Sequence, residues 1–333
     1  MNRCCWIVIS YVCFGSALFA QQEAEWKGKL VFLKEVAVPR IESVKIDRAR
    51  VPMPAMVQEV RGDWLWVERA WVQRSEVRDV DQAFDDYTER ILTEPFEAAG
   101  WVSRAAVWRA KEEFENALND AGEALKVRPH LAWAYYERGL ARHALGDAES
   151  AISDFTTAIR FEAGQARYHA ARGEAWLSMK DFEKSLQDYQ QALVLDPDDA
   201  TVVRRRGIVW YEKRDCQKAL EDFTLAQRLA PVDFKSFAFL AAFRASCYDP
   251  AFRDARQALA LAHAACEMTQ HKDAYALRTL AAAYAETGDW ANAILTQEKA
   301  LACTKRAEEK ANGEIRLASY REQRPYRREP QGK

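Results

Sequence analysis

The sequence predicts a mainly α fold, an array of about six helix pairs preceded by a small β-barrel, and three observations carry that reading. Thirteen Gly and ten Pro in 333 residues come to about 7% of the chain against a usual sum of about 12%, which favours helix over a turn-rich all-β protein. Residues 98–307 repeat, mostly with a 34-residue period, and the helical period is lost upstream between Glu25 and Asp79. The remaining composition, 49% apolar and 29% charged with a formal net charge of -2, excludes a disordered or collagen-like chain. It also argues against a nucleic-acid partner held by bulk electrostatics.

The chain starts with a short cationic segment ending at Arg3, and residues 4–20 then carry no charge before Gln21. This is the pattern of a signal peptide over residues 1–20. Cleavage after Ala20, cleavage after Ala17 and retention of residues 4–20 as an anchor stay open, the run being at the bottom of the spanning range. The expected location is exported, periplasmic or extracellular, with membrane attachment only through an uncleaved signal. Cys13 has no small residue before it, so no lipoprotein site is read. Outside this segment the cysteines are Cys216, Cys247, Cys266 and Cys303; such a set permits disulfides in an exported chain without requiring them.

Residues 25–80 contain three short β-prone runs, at 30–33, 64–67 and 70–73, separated by turn-forming stretches. A chain of this kind can close into a small barrel, with two of Trp64, Trp66 and Trp71 in its core. Residues 81–97 then read as a leading helix ending at Pro95.

Six copies follow, at 98–131, 132–165, 166–199, 200–233, 234–273 and 274–307. Each carries a small residue at its eighth position (Ala105, Gly139, Gly173, Gly207, Ala241, Ala281) and alanine at its twenty-seventh (Ala124, Ala158, Ala192, Ala226, Ala265, Ala300). Two antiparallel helices approach closely only where side chains are small, so these positions mark helix crossings. Aromatic residues at position 24 (Phe155, Tyr189, Phe223) fill the space left over. Between the helices, Gly146 and Asp147, like Gly288 and Asp289, pair a left-handed stop with an N-cap acceptor; Lys180 and Asp181, and Arg214 and Asp215, keep the cap alone. Arginine at position 7 (Arg104, Arg138, Arg172, Arg206) and aspartate at position 23 (Asp120, Asp154, Asp188, Asp222) recur in copies one to four. They are expected to form paired charges within a repeat or across a boundary, each worth ~0.2–1 kcal/mol if exposed. Residues 308–333 read as a capping helix and a frayed basic tail, since a solenoid end otherwise exposes an apolar face.

These blocks resemble tetratricopeptide repeats over about 210 residues, which implies a right-handed α-α superhelix. Gly62, Trp64, Trp66, Val67, Ala70, Trp71 and Val72 resemble the final strands of bacterial Src-homology-3-like barrels, though alanine replaces the glycine of the usual ending. The repeat resemblance implies a concave groove lined by positions 2, 5, 9 and 12 of the first helices. These are Trp133, Tyr136, Leu140 and His143; then Arg167, Ala170, Glu174 and Leu177; then Thr201, Arg204, Ile208 and Tyr211. This mixed aromatic and charged set suits an extended peptide or a partner helix. It lacks the lysine and asparagine pattern of the carboxylate clamp that holds chaperone tails. The barrel resemblance makes cell-wall polymer an alternative ligand, with the repeats as spacer or assembly element. No phosphate-cradling glycine loop, His-Glu-x-x-His helix or Gly-x-Ser-x-Gly elbow occurs, so no catalytic, cofactor or metal site is expected.

Overall fold

The computed structural model describes residues 27, 29–33, 40–41, 44–45, 55–61, 63–67 and 70–327; the expected signal segment, residues 1–20, lies outside them. The chain divides into two compact units, Met1–Ala163 and Gly164–Lys333. The β-prone segment therefore shares a unit with the first two helix pairs.

In the first unit, strands β1 (Leu30–Leu33), β2 (Arg40–Ile41), β3 (Val44–Lys45), β4 (Ala55–Arg61), β5 (Trp64–Val67), β6 (Ala70–Gln73) and β7 (Val77–Asp79) form an antiparallel sheet. Its order is β3-β2-β6-β5-β4-β1-β7. Alternation along the strands gathers Val31, Leu33, Val57, Leu65, Val67, Val72 and Val77 into one aliphatic core. The expected closed barrel is not found: among the described residues the outer strands β3 and β7 share no ladder. One reason lies in β1, whose last three residues are all buried. Val31 and Leu33 enter the sheet core, while Phe32, pointing the other way, packs with Ala83, Ala106 and Val107. Helices, rather than further strands, thus cover the second face at β1. Trp64 and Trp71 alternate with the core residues Leu65 and Val72 and are only half-buried, so the tryptophans do not fill the core as expected; the side chain of Trp66 is outside the described set. The Arg61 guanidinium lies 4.9 Å from the Trp71 ring centroid.

The first unit continues with α1 (Val80–Thr93), α2 (Ala98–Ala110), α3 (Phe114–Val127), α4 (Ala132–Ala144) and α5 (Ala148–Phe161). The second contains α6 (Ala166–Ser178), α7 (Phe182–Leu195), α8 (Ala200–Glu212), α9 (Cys216–Leu229), α10 (Phe234–Ser246), α11 (Ala255–Met268), α12 (Ala274–Thr287), α13 (Trp290–Cys303) and α14 (Ala307–Arg321). Asp147, Asp181, Asp215 and Asp289 accept hydrogen bonds from the backbone N–H of Ser150, Lys184, Lys218 and Asn292, which starts the second helix of copies two, three, four and six. In every pair but copy five, where Arg253 has a φ of -81°, the residue two places before the second helix takes positive φ whether or not it is glycine: Gly146 at 88° and Gly288 at 80°, but also Glu112 and Lys180 at 60° and Arg214 at 64°.

The crossings are as tight as the small residues require. A Cβ built on Gly139 would sit 2.6 Å from the Phe155 ring, and one on Gly173 or Gly207 would lie 3.0 Å from Tyr189 or Phe223. Position 8 thus faces the aromatic residue at position 24 of its own pair. Beside this contact, each arginine at position 7 grips the aspartate at position 23 with two nitrogens: Arg104 and Asp120 at 2.7 and 2.9 Å, Arg138 and Asp154 at 3.0 and 2.7 Å, Arg172 and Asp188 at 2.8 and 2.8 Å, Arg206 and Asp222 at 2.9 and 2.7 Å. The pairs lie within each repeat. The aspartates are buried rather than surface groups, 3–6% exposed, so the forks satisfy carboxylates that could not otherwise be buried.

The four carboxylates are not equivalent. Burial alone would raise Asp188, but Arg172 and His169, whose Nδ1 is 3.5 Å away, outweigh it and hold the group below the usual carboxylate range. At Asp222 burial prevails over Arg206, and Glu221 adds to it, leaving the group above that range.

Lys180→Gly is expected to raise stability by about 1 kcal/mol, since a side chain in the left-handed region costs about that much, measured by urea unfolding. Asp188→Asn should destabilise more than Asp222→Asn at neutral pH, because the fold favours the ionised form of Asp188 and disfavours that of Asp222. A depressed carboxyl contributes stability above its unfolded value and loses it as pH falls through its folded one. The gap between the variants should therefore close as the pH falls below the usual carboxylate range, which urea titrations at several pH values would show.

Candidate functional site

In the first unit, Trp133, Tyr136, Leu140 and His143 lie half-buried along α4. Trp133 is bound into packing: its Nε1 donates to Glu137 Oε1 at 3.2 Å, and its ring covers the cluster of Ala98, Val102 and Ala124. The Tyr136 ring is 6.0 Å from Phe155. Glu137 itself, 2% exposed, accepts from Arg109 Nε at 3.0 Å. Burial would lower the proton affinity of Arg109, but Glu137 outweighs it and leaves the guanidinium above its ordinary value. Arg109 and Glu137 escape a reading of sequence positions because the pair joins position 12 of one copy to position 6 of the next. Only a comparison of charges across the copy boundary could have found it.

In the second unit, Arg167 lies over the ring of Tyr168, and Ala170 and Leu177 pack on the cluster of Tyr189, Leu193 and Val203. Glu174 accepts from the Tyr189 hydroxyl at 2.7 Å and pairs with Arg205 at 2.8 Å. Thr201 is exposed and Ile208 half-buried. Two of the groove residues are buried instead. Tyr211, 7% exposed, packs between Phe243 and Tyr248, both at 5.8 Å. Arg204, 6% exposed, donates to Asp233 at 3.2 Å and stacks on Phe239 at 5.1 Å. The repeats stack through these side chains, so they are not offered singly to a ligand.

Arg204 nevertheless begins a strip whose other members lie outside the groove positions named in copies two to four. Phe239 stacks on Tyr275 at 5.0 Å, and the Arg278 guanidinium covers Tyr275 at 4.9 Å. Phe239, Tyr275 and Arg278 are half-buried, presenting an arginine–aromatic edge along the first helices of copies four to six. On the capping helix, Arg316 covers Tyr326 at 4.3 Å. Asp233 compensates Arg204, but among the described residues no carboxylate pairs with Arg278 or Arg316. Burial, and next the charge of Arg278, hold Arg316 below the usual guanidinium range. This end of the unit carries an unspent positive charge.

The tail is docked where fraying was expected. Tyr326 packs with Ala281, Ala285 and Tyr320, and Arg327 donates to Ala245 O at 3.2 Å and pairs with Glu286 at 2.5 Å; Arg328 is outside the described residues. Among the described residues no group of three or more His, Cys, Asp or Glu could hold a metal, and no helix is long and apolar enough to cross a membrane.

Two family profiles, both described as Tetratricopeptide repeat, match residues 166–199 and 134–164. The chain therefore carries tetratricopeptide repeats. Among solved structures, the crystal structure of the APC/C hetero-tetramer Cut9-Hcn1 is similar with a TM-score of 0.62 and 17% identity; the match covers 72% of this chain and 46% of that one. It shows a shared fold. TTC0263, a thermophilic TPR protein in Thermus thermophilus, matches with a TM-score of 0.46 and 20% identity over 49% of this chain and 89% of that one. YrrB, described as a TPR protein with an unusual peptide-binding site, matches with a TM-score of 0.43 and 21% identity over 59% of this chain and 97% of that one. No curated protein matches the sequence.

Glu137→Ala leaves the buried side of Arg109 without its carboxylate and removes the acceptor of Trp133. A loss of about 3 kcal/mol is expected, read by chemical denaturation, with the helical circular dichroism of the native state retained.

Proposed function

We propose that the chain is a non-enzymatic interaction scaffold, exported by its N-terminal segment, that takes an extended acidic peptide of a partner protein along the arginine–aromatic strip of copies four to six. The carrying observation is the strip itself: stacked half-buried rings at Phe239 and Tyr275, flanked by Arg278 and, on the cap, Arg316, neither paired with a carboxylate among the described residues. The few residues that dominate binding energy in protein recognition are enriched in tryptophan, tyrosine and arginine, and uncompensated guanidinium groups favour carboxylates through paired, charge-assisted hydrogen bonds. The repeat architecture supports the reading, since stacked helix pairs offer one face to an extended peptide. Export rests on the uncharged run at 4–20 behind Arg3. The alternative of a barrel that holds wall polymer has no closed barrel among the described strands to rest on.

Fluorescence anisotropy of the full chain with labelled acidic, neutral and basic peptides of equal length tests the site. Acidic peptides should bind most tightly and weaken with salt. Arg278→Glu and Arg316→Glu should each lower affinity at least ~10-fold without changing the circular dichroism. Equal binding of acidic and basic peptides would sink the proposal. Export is tested separately by fractionating cells that express the tagged chain and sequencing the N-terminus of the exported form.

A further inference from the structure

We propose that Cys216 and Cys247 form an intramolecular disulfide that ties the copy-five loop to the start of α9. Their Sγ atoms are 3.6 Å apart, and both residues are buried in one cluster with Tyr211, Phe223, Leu240 and Phe243. A disulfide needs about 2.05 Å between sulfurs, so closure asks for a movement of ~1.5 Å at the side-chain tips. The other two thiols among the described residues are placed differently: Cys266 lies in a separate cluster, and Cys303 is exposed.

The location gives the bond a role. Cys247 caps the end of α10, where the longer connection of copy five begins, and Cys216 is the first residue of α9. The same connection is held to copy four by the Tyr248 hydroxyl, which donates to Arg214 O at 2.9 Å, and by stacking of the Arg214 guanidinium on that ring. Copies one to four each carry a buried Arg–Asp fork between their helices, whereas copy five has Leu240 and Leu261 at those positions. A covalent tie therefore falls beside the first repeat that lacks the ionic one. Nothing in this placement depends on the peptide strip.

Chemically, one cysteine thiolate attacks a low-molecular-weight disulfide such as oxidised glutathione, breaking its S–S bond and releasing one thiolate. The second cysteine then attacks the mixed disulfide and releases the other. Two cysteine thiols are oxidised, one glutathione disulfide is reduced to two thiols, and the two protons pass to the released sulfurs. Burial pushes the Cys247 thiol up to about 12, which disfavours thiolate in the closed structure. The exchange therefore belongs to folding, before the loop packs, in an oxidising compartment of the kind export would supply.

The test refolds the full-length chain from denaturant with and without oxidised glutathione. Remaining thiols are then blocked with iodoacetamide in denaturant, and a non-reducing digest is examined by mass spectrometry. The expected result is a Cys216–Cys247 linked peptide, present with the oxidant and absent after reduction, with Cys266 and Cys303 alkylated. The unfolding midpoint should rise by roughly 5 °C, and the rise should vanish in Cys216→Ala and Cys247→Ala, whose native circular dichroism controls for folding, but persist in Cys303→Ser. Full alkylation of both cysteines after oxidising refolding, or pairing of either with any other of the chain's seven cysteines, would overturn the proposal.

Discussion

The close approach of the two helices in each pair is the constraint on which the rest depends. In copies two to four a glycine at position 8 lies directly beneath the aromatic ring at position 24, with no space for a methyl group to be added without a shift. That contact fixes the register of the pair. The neighbouring position 7 and position 23 side chains then face each other whatever they are, and in copies one to four they are arginine and aspartate. The buried carboxylate would be costly alone; two guanidinium hydrogen bonds offset its lost hydration and make the contact directional. Packing supplies the proximity, and the ion pair adds geometry to it.

Where the fork is missing, apolar contacts take the place of its arginine. Copy five places Leu240 in the aromatic cluster around Phe223 and Phe243, and copy six places Leu280 in an alanine-rich core. Apolar replacement of a buried ion pair is energetically acceptable because no desolvated charge remains. In copy six the aromatic position holds Gln297, whose Nε2 donates to Gly313 O on the capping helix at 3.1 Å. A residue that breaks the repeat pattern thus matches the change of neighbour, from another repeat to a cap.

The same economy separates structural charge from charge left for a partner. Arg104, Arg109, Arg138, Arg172, Arg204 and Arg206 all meet carboxylates. Arg278 and Arg316 stack on tyrosines and meet none among the described residues. An arginine committed to the fold has its countercharge built in, and one without it retains electrostatic free energy that an anionic ligand can use. Position 5 in a repeat therefore does not by itself mark a binding residue: Arg204 and Arg278 occupy it alike, and only one is neutralised.

The linear chain alone specifies the helix pairs, the small residues at their crossings, the capping aspartates and the recurrence of charge at positions 7 and 23. These are local or recur at fixed spacing, so periodicity reveals them. It also points to strands between residues 30 and 73 but not to their open arrangement, because closure depends on what covers β1, and that is a contact with α1 and α2. Folding in three dimensions was needed to establish that the aspartates are buried, that Tyr211 and Arg204 serve stacking, that the tail is docked, and that Cys216 meets Cys247. Burial and partnership of this kind depend on residues brought together from neighbouring copies, where the chain's linear order carries no measure of distance or of solvent.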